Sequence, residues 1–144
     1  MRARVNRERI RFLLGEMRRA VAQVRAHLGV DDERLLADPV SLGSVKYNLI
    51  VAIQAMIDVC NHIVTRKGGP APQDYADCFV SLGRVAGWSA EEVQRFQLMA
   101  RFRNLLVHLY WQVDDQRVVA TCRAHFDDFH RYQELLAPFL DGET

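Results

Sequence analysis

Residues 41–64 read SLGSVKYNLIVAIQAMIDVCNHIV. Within them Val45, Leu49, Ala52, Ile53, Met56, Cys60 and Ile63 recur every three or four positions. That spacing stacks side chains on one face of an α-helix, and the run is far too long for a strand. Ser41 is placed to cap its start, and RKGGPAPQD ends it, because Gly68, Gly69, Pro70 and Pro72 do not continue a helix.

The same period extends outward in both directions. Upstream, Ile10, Leu13, Leu14, Met17, Val21, Val24 and Leu28 form one stripe of a long first helix, with Gly29 as its stop. GVDDERLLADPVS is a connection with room for one short helical turn, closed by Pro39. Downstream, a shorter helix is predicted from about Gln73 to Val85, ended by Gly87. Ser89 followed by Glu92 is a capping box opening a fourth long helix that runs to about His108. Asp114 and Asp115 cap a fifth, whose stripe is Val118, Cys122, Phe126, Phe129, Tyr132, Leu136 and Leu140. Period-two alternation is nowhere sustained. The fold class is therefore all-α: a helical bundle of four long helices plus one shorter one, in a single domain over residues 1–144.

Composition bounds the function. The 144 residues are 49% hydrophobic and 26% charged, with a net charge of +1, which gives no global electrostatic case for nucleic acid. Locally, Arg2, Arg4, Arg7, Arg9 and Arg11 crowd the start, either as a solvated helix end or as an arm that attracts phosphate. Three cysteines, Cys60, Cys78 and Cys122, lie in apolar helical patterns without a CxxC pair. They are expected to be unpaired core side chains, in a protein of the reducing cytoplasm rather than a disulfide scaffold or a zinc site. No stretch approaches the roughly 18 uninterrupted apolar residues of a membrane span, and no signal-peptide core follows the charged start.

The fourth helix carries the chemistry. RFRNLLVHLY, Arg101–Tyr110, sets four polar groups in an apolar run. With Arg103 as zero on an ideal helix, Asn104 falls at about 100°, His108 at about 140° and Tyr110 at about −20°. Arg101 shares the side of His108. The other half, Phe102, Leu105, Leu106 and Leu109, reads as the core contact. A histidine near a helix end commonly meets the last carbonyls, and an arginine there is commonly solvated. The chemical alternative is metal-free phosphodiester cleavage. Imidazole gives and takes protons near neutral pH, and guanidinium offers a bidentate fork to phosphate oxygens and to charge developing in the transition state. One copy supplies one imidazole, whereas attack by a 2′-hydroxyl needs both a base and an acid. A twofold dimer apposing two fourth helices supplies both.

RNLLVHLY resembles the R-x4-H-x-Y form of the HEPN signature with a polar residue after the arginine, the form of HepT-type toxins from type VII HepT/MNT toxin–antitoxin pairs. The second helix, with Gln54, Asp58, Asn61 and His62, and the segment DYADCFVSLGRVAGWSAEEVQRFQLMARFRNLLVHLYWQVD are also similar to that family. The resemblance implies a HEPN-type bundle that dimerises so that two signatures line a cleft. It implies a metal-independent endoribonuclease with Arg103 and His108 as the catalytic pair and Asn104 in support. It also implies a nucleotidyltransferase antitoxin of the MNT kind that transfers AMP to Tyr110. A second reading uses the same residues without catalysis: a binding subunit that docks a nucleotidyltransferase partner or a nucleotide.

The remaining candidates are weaker. Asp58 and His62 are i,i+4 and match one metal-ligand spacing, but no Glu-x-x-His pair accompanies them. A buried hydrogen-bonded network through Gln54, Asp58 and His62, or a bracing role beside the site, fits them better. No metal or cofactor is expected, and no glycine-rich phosphate loop is present. Trp88 and Trp111 read as packing anchors, with base stacking as the alternative for Trp111.

Overall fold

The computed structural model describes residues 4–69 and 72–141. Arg2, Pro70 and the tail from residue 142 lie outside the described residues. The elements are α1 (Arg7–His27), α2 (Asp32–Leu36), α3 (Pro39–Arg66), α4 (Tyr75–Ala86), α5 (Ala90–His108), α6 (Asp115–His125) and α7 (Asp127–Asp141), with no strand among the described residues.

Most helices open on a side chain that accepts a backbone N–H of the first turn, the group a helix start leaves unpaired. Asn6 accepts from Arg9, Asp31 from Arg34, Asp74 from Asp77, Ser89 from Glu92 and Asp114 from Gln116. α3 begins earlier than Ser41. Its cap is Asp38, and Pro39, expected to close the connection, occupies the first turn, where its missing N–H costs nothing. The Ser41 hydroxyl donates to Asp38 Oδ2 at 2.7 Å. Only half of the Ser89 capping box forms, because the Glu92 carboxylate pairs with Arg131 on α7 instead of turning back. Gly87 ends α4 at φ 73°, the left-handed conformation that glycine adopts without a Cβ clash. The single fifth helix of the sequence reading is two, α6 and α7, parted at Phe126. Asp127 and Asp128 follow the break and suit the positive end of a new helix.

α3 is the central element. It packs most extensively on α1 and also against α4 and α5. It is long and apolar enough to cross a membrane by length and composition, and its buried apolar residues between Leu42 and Val64 lie in the bundle core. Beside it Phe79, Trp88, Phe96 and Tyr132 meet edge to face or tilted, with centroids 5.0–6.1 Å apart. Tyr132 is fully buried and its hydroxyl donates to the Met56 carbonyl at 2.7 Å. Burial, and the nearby Asp58 charge, push its phenol well above the ordinary range.

The expectation of three unpaired cysteines fails for two. Cys60 on α3 and Cys78 on α4 are paired as a disulfide, with Cα atoms 6.3 Å apart. They are brought together by helix packing, which sequence spacing does not announce. The Cys78 sulfur also lies 3.2 Å from Asn61 Oδ1, a contact that the thiol makes as donor and the disulfide does not. Cys122 is free and buried, and burial pushes its thiol up to about 11.

Candidate functional site

The site is laid out by the way α5 turns its faces. Phe96, Met99, Ala100 and Leu106 are its buried residues. Phe96, Ala100 and Arg103 are related as i, i+4, i+7, so Arg103 shares the side of the buried residues, with buried Leu106 one turn further on. The half of α5 expected to meet the core is largely turned outward: Leu105 and Leu109 are each 43% exposed, and Leu98, before them on the same side, is 53% exposed. Phe102 is half-buried, and of that predicted contact only Leu106 is sealed. Leu98, Phe102, Leu105 and Leu109 repeat as i, i+4, i+7, i+11, a narrow apolar seam facing solvent.

Arg103 is half-buried, with its guanidinium 5.0 Å from the centroid of the Tyr75 ring at the start of α4. Its Nη1 donates to Asn104 Oδ1 at 3.1 Å, and its buried Nε–H has no partner. The stack and the amide together fix the plane of the guanidinium while leaving donors uncommitted, as an anion-binding group needs. His108 is the last residue of α5 and is exposed. Five positions separate it from Arg103, a turn of about 140°, so the two do not converge within one copy. Going round the helix from Arg103, one meets Asn104, then His108 and Arg101, then the apolar seam. Arg101 is exposed and lines a groove of about 480 Å³ between α5 and α6, with Leu98, Phe102 and Leu105.

Tyr110 lies beyond the end of α5, so its ideal-helix angle does not apply. It is half-buried, edge-on to Trp111 at 5.3 Å, with the Lys46 ammonium 5.1 Å from its ring centroid. Trp111 is 92% exposed and anchors no core, contrary to the packing expectation, whereas Trp88 packs against Phe96 and Tyr132.

On α3 the expected network divides. Gln54 Nε2 donates to Asp58 Oδ1 at 2.9 Å, and Gln54 Oε1 is buried without a partner. His62 turns elsewhere: its Nε2 accepts the Asn6 backbone N–H at 2.9 Å. Arg66 reinforces that link by donating to the Arg4 carbonyl at 3.2 Å. Burial, then the charges of Arg66 and Arg9, hold the His62 pKa below its usual value and keep it the neutral acceptor this bond requires. Among the described residues no three His, Cys, Asp or Glu side chains gather as a metal-binding group.

Sequence reasoning missed Tyr75 and Lys46. Neither has a local signal, since each reaches the site across a helix–helix contact.

The family described as ribonuclease HepT-like matches residues 17–136. A relative described as mRNA nuclease HepT, from Shewanella oneidensis, is 24% identical over 123 residues, 85% of this chain and 92% of that protein. Among solved structures, the tri-AMPylated Shewanella oneidensis HEPN toxin in complex with MNT antitoxin superposes with a TM-score of 0.81 at 24% identity, covering 90% of this chain and 96% of that one. YutE, a cytosolic protein of unknown function from Bacillus subtilis, superposes with a TM-score of 0.76 at 18% identity, covering 100% and 99%. At these identities the superpositions establish the HEPN-type helical fold.

Proposed function

The chain belongs to the ribonuclease HepT-like family, and from that premise we propose that it is the toxin of a type VII HepT/MNT toxin–antitoxin pair: a metal-independent endoribonuclease that works as a homodimer. The observation that carries the reading is the outward seam of Leu98, Phe102, Leu105 and Leu109 running directly beside the arc of His108, Asn104 and Arg103. Large apolar side chains aligned on a solvent-facing helix suit a partner helix. Two copies joined there bury the seam and bring two polar arcs to the rim of one cleft.

In that cleft one His108 takes the proton of a ribose 2′-hydroxyl as its oxygen attacks phosphorus. The other protonates the departing 5′-oxygen as the P–O5′ bond breaks. Arg103, held flat by Tyr75 and Asn104, binds the non-bridging oxygens and the charge that grows on them. Asn104 orients the guanidinium, Arg101 adds positive charge beside His108, and exposed Trp111 offers a face for an unpaired base. Single-stranded or looped RNA fits best, because its backbone is free to adopt the in-line geometry. Asp58, which accepts from Gln54 on α3, supports the site only through the packing of that helix. His62, turned to Asn6, supports it only through the fold.

Tyr110 is the proposed acceptor of AMP from an MNT-type nucleotidyltransferase. A nucleotide there puts a negative phosphate beside the site and blocks RNA. The test is incubation of purified protein with RNA in EDTA. The reading predicts fragments ending in 2′,3′-cyclic phosphate. Intact RNA would instead favour a non-catalytic subunit that docks the transferase.

A further inference from the structure

α3 is apolar along its packed length, yet position 46 is a lysine. Lys46 is buried, and taking an ammonium out of water is costly unless it is paired. Both of its partners lie outside α3. Its Nζ lies 2.5 Å from Asp115 Oδ1 at the start of α6, and 5.1 Å from the Tyr110 ring centroid. The Asp115 contact is an ion pair without good hydrogen-bond alignment, since Oδ1 accepts no well-directed bond. Gly43, one turn earlier on the same face of α3, completes the setting: a Cβ there would stand 3.8 Å from the Tyr110 hydroxyl. Tyr110 therefore rests on α3 with a cation at its face, Trp111 at its edge and its hydroxyl over a glycine.

We propose that Lys46 is a positioning residue and counter-ion for nucleotidylation of Tyr110, which rests on the reading of Tyr110 as the AMP acceptor. Before transfer the ammonium holds the ring by its face and fixes the direction of the hydroxyl. In the transfer, Tyr110 Oη attacks the α-phosphorus of ATP held by the transferase. The Oη–P bond forms, the bond from that phosphorus to the β-bridging oxygen breaks, pyrophosphate leaves and the phenolic proton passes to solvent. The product is an anionic phosphodiester on the tyrosine. The flexible lysine stem lets the ammonium move from Asp115 to that anion. Asp115, whose side chain is 40% exposed, is then hydrated rather than stranded.

The experiment uses the full chain, a purified MNT-type nucleotidyltransferase and Mg·ATP, with added AMP counted by mass spectrometry over time. Wild type, Tyr110→Phe, Lys46→Met, Lys46→Arg and Asp115→Asn are compared, each checked for native helix content. Lys46→Met is expected to slow AMP addition about tenfold, the order of one lost charge-assisted contact. Lys46→Arg recovers most of the rate, and Asp115→Asn, which frees the ammonium, reacts at least as fast as wild type. In the modified protein the ³¹P resonance of the tyrosyl phosphodiester shifts in Lys46→Met and not in Asp115→Asn. A Lys46 that merely ties α6 to α3 would make Asp115→Asn as slow as Lys46→Met. That result, or a Lys46→Met rate equal to wild type, overturns the proposal. No AMP on wild type, or as much on Tyr110→Phe, instead overturns the reading of Tyr110 as acceptor.

Discussion

The guanidinium of Arg103 is stacked on the ring of Tyr75, 5.0 Å from its centroid, so a residue of α4 sets where a residue of α5 can reach. The contact holds the half-buried arginine against α4 instead of leaving it to sweep through solvent.

Tyr75→Ala removes that face, and Tyr75→Phe keeps it. A cation–π contact at a partly exposed place is worth about 0.5–1 kcal/mol, so the alanine variant should lose roughly two- to fivefold in kcat/KM for RNA cleavage. Initial rates on a short RNA check this. Equal rates for the alanine and phenylalanine variants contradict it.

Tyr132 tests the packing that carries the site. Tyr132→Phe loses the bond to the Met56 carbonyl and should cost about 1 kcal/mol. Tyr132→Ala also empties the aromatic cluster and should cost about 3–5 kcal/mol. Urea unfolding followed by far-ultraviolet circular dichroism reads both.

Much of this architecture is legible in the sequence because α1 and α3 carry long apolar stripes and local stop signals, and a capping serine opens α5. Ser89, Asp114 and Gly87 act where local chemistry places them. What escaped was set by contacts between helices. The Asp38–Pro39 start was hidden because proline both closes loops and opens helices. The α6–α7 break at Phe126 has no proline or glycine to announce it. The outward face of α5 reads as a core face because a solvent-facing apolar seam and a buried one share one period. Tyr75 and Lys46 had no signal, since each joins the site through packing.

The His62–Asn6 bond makes the N-terminal segment pH-dependent. His62 has a folded pKa below its unfolded value, so the unfolded chain binds the proton more readily. Its contribution is therefore complete above the ordinary histidine pKa of about 6.5 and is lost as pH falls through the lower folded value. Hydrogen exchange of the Asn6 amide, corrected for the intrinsic rate, should quicken as pH drops through that window in wild type. In His62→Ala the corrected rate should be fast at every pH. PH-independent protection in wild type would contradict the account.

The exposed seam predicts assembly. Leu105→Glu with Leu109→Glu changes two solvent-facing residues, so each chain should keep its helix content while the protein becomes monomeric. Cleavage should fall at least about a hundredfold, because each half of the cleft then lacks a second proton-transfer group. Light scattering and cleavage rates are measured on the same sample. A fully active monomer would show that the two-copy cleft is not needed.

The proposed activity stands on the exposed imidazole at the end of α5 as the group that moves the protons of RNA cleavage. The most direct measurement is the cleavage rate of His108→Ala in EDTA, beside its far-ultraviolet spectrum. The account predicts a loss of at least about a hundredfold with an unchanged helical spectrum. Cleavage at the wild-type rate by a normally folded His108→Ala protein would contradict it.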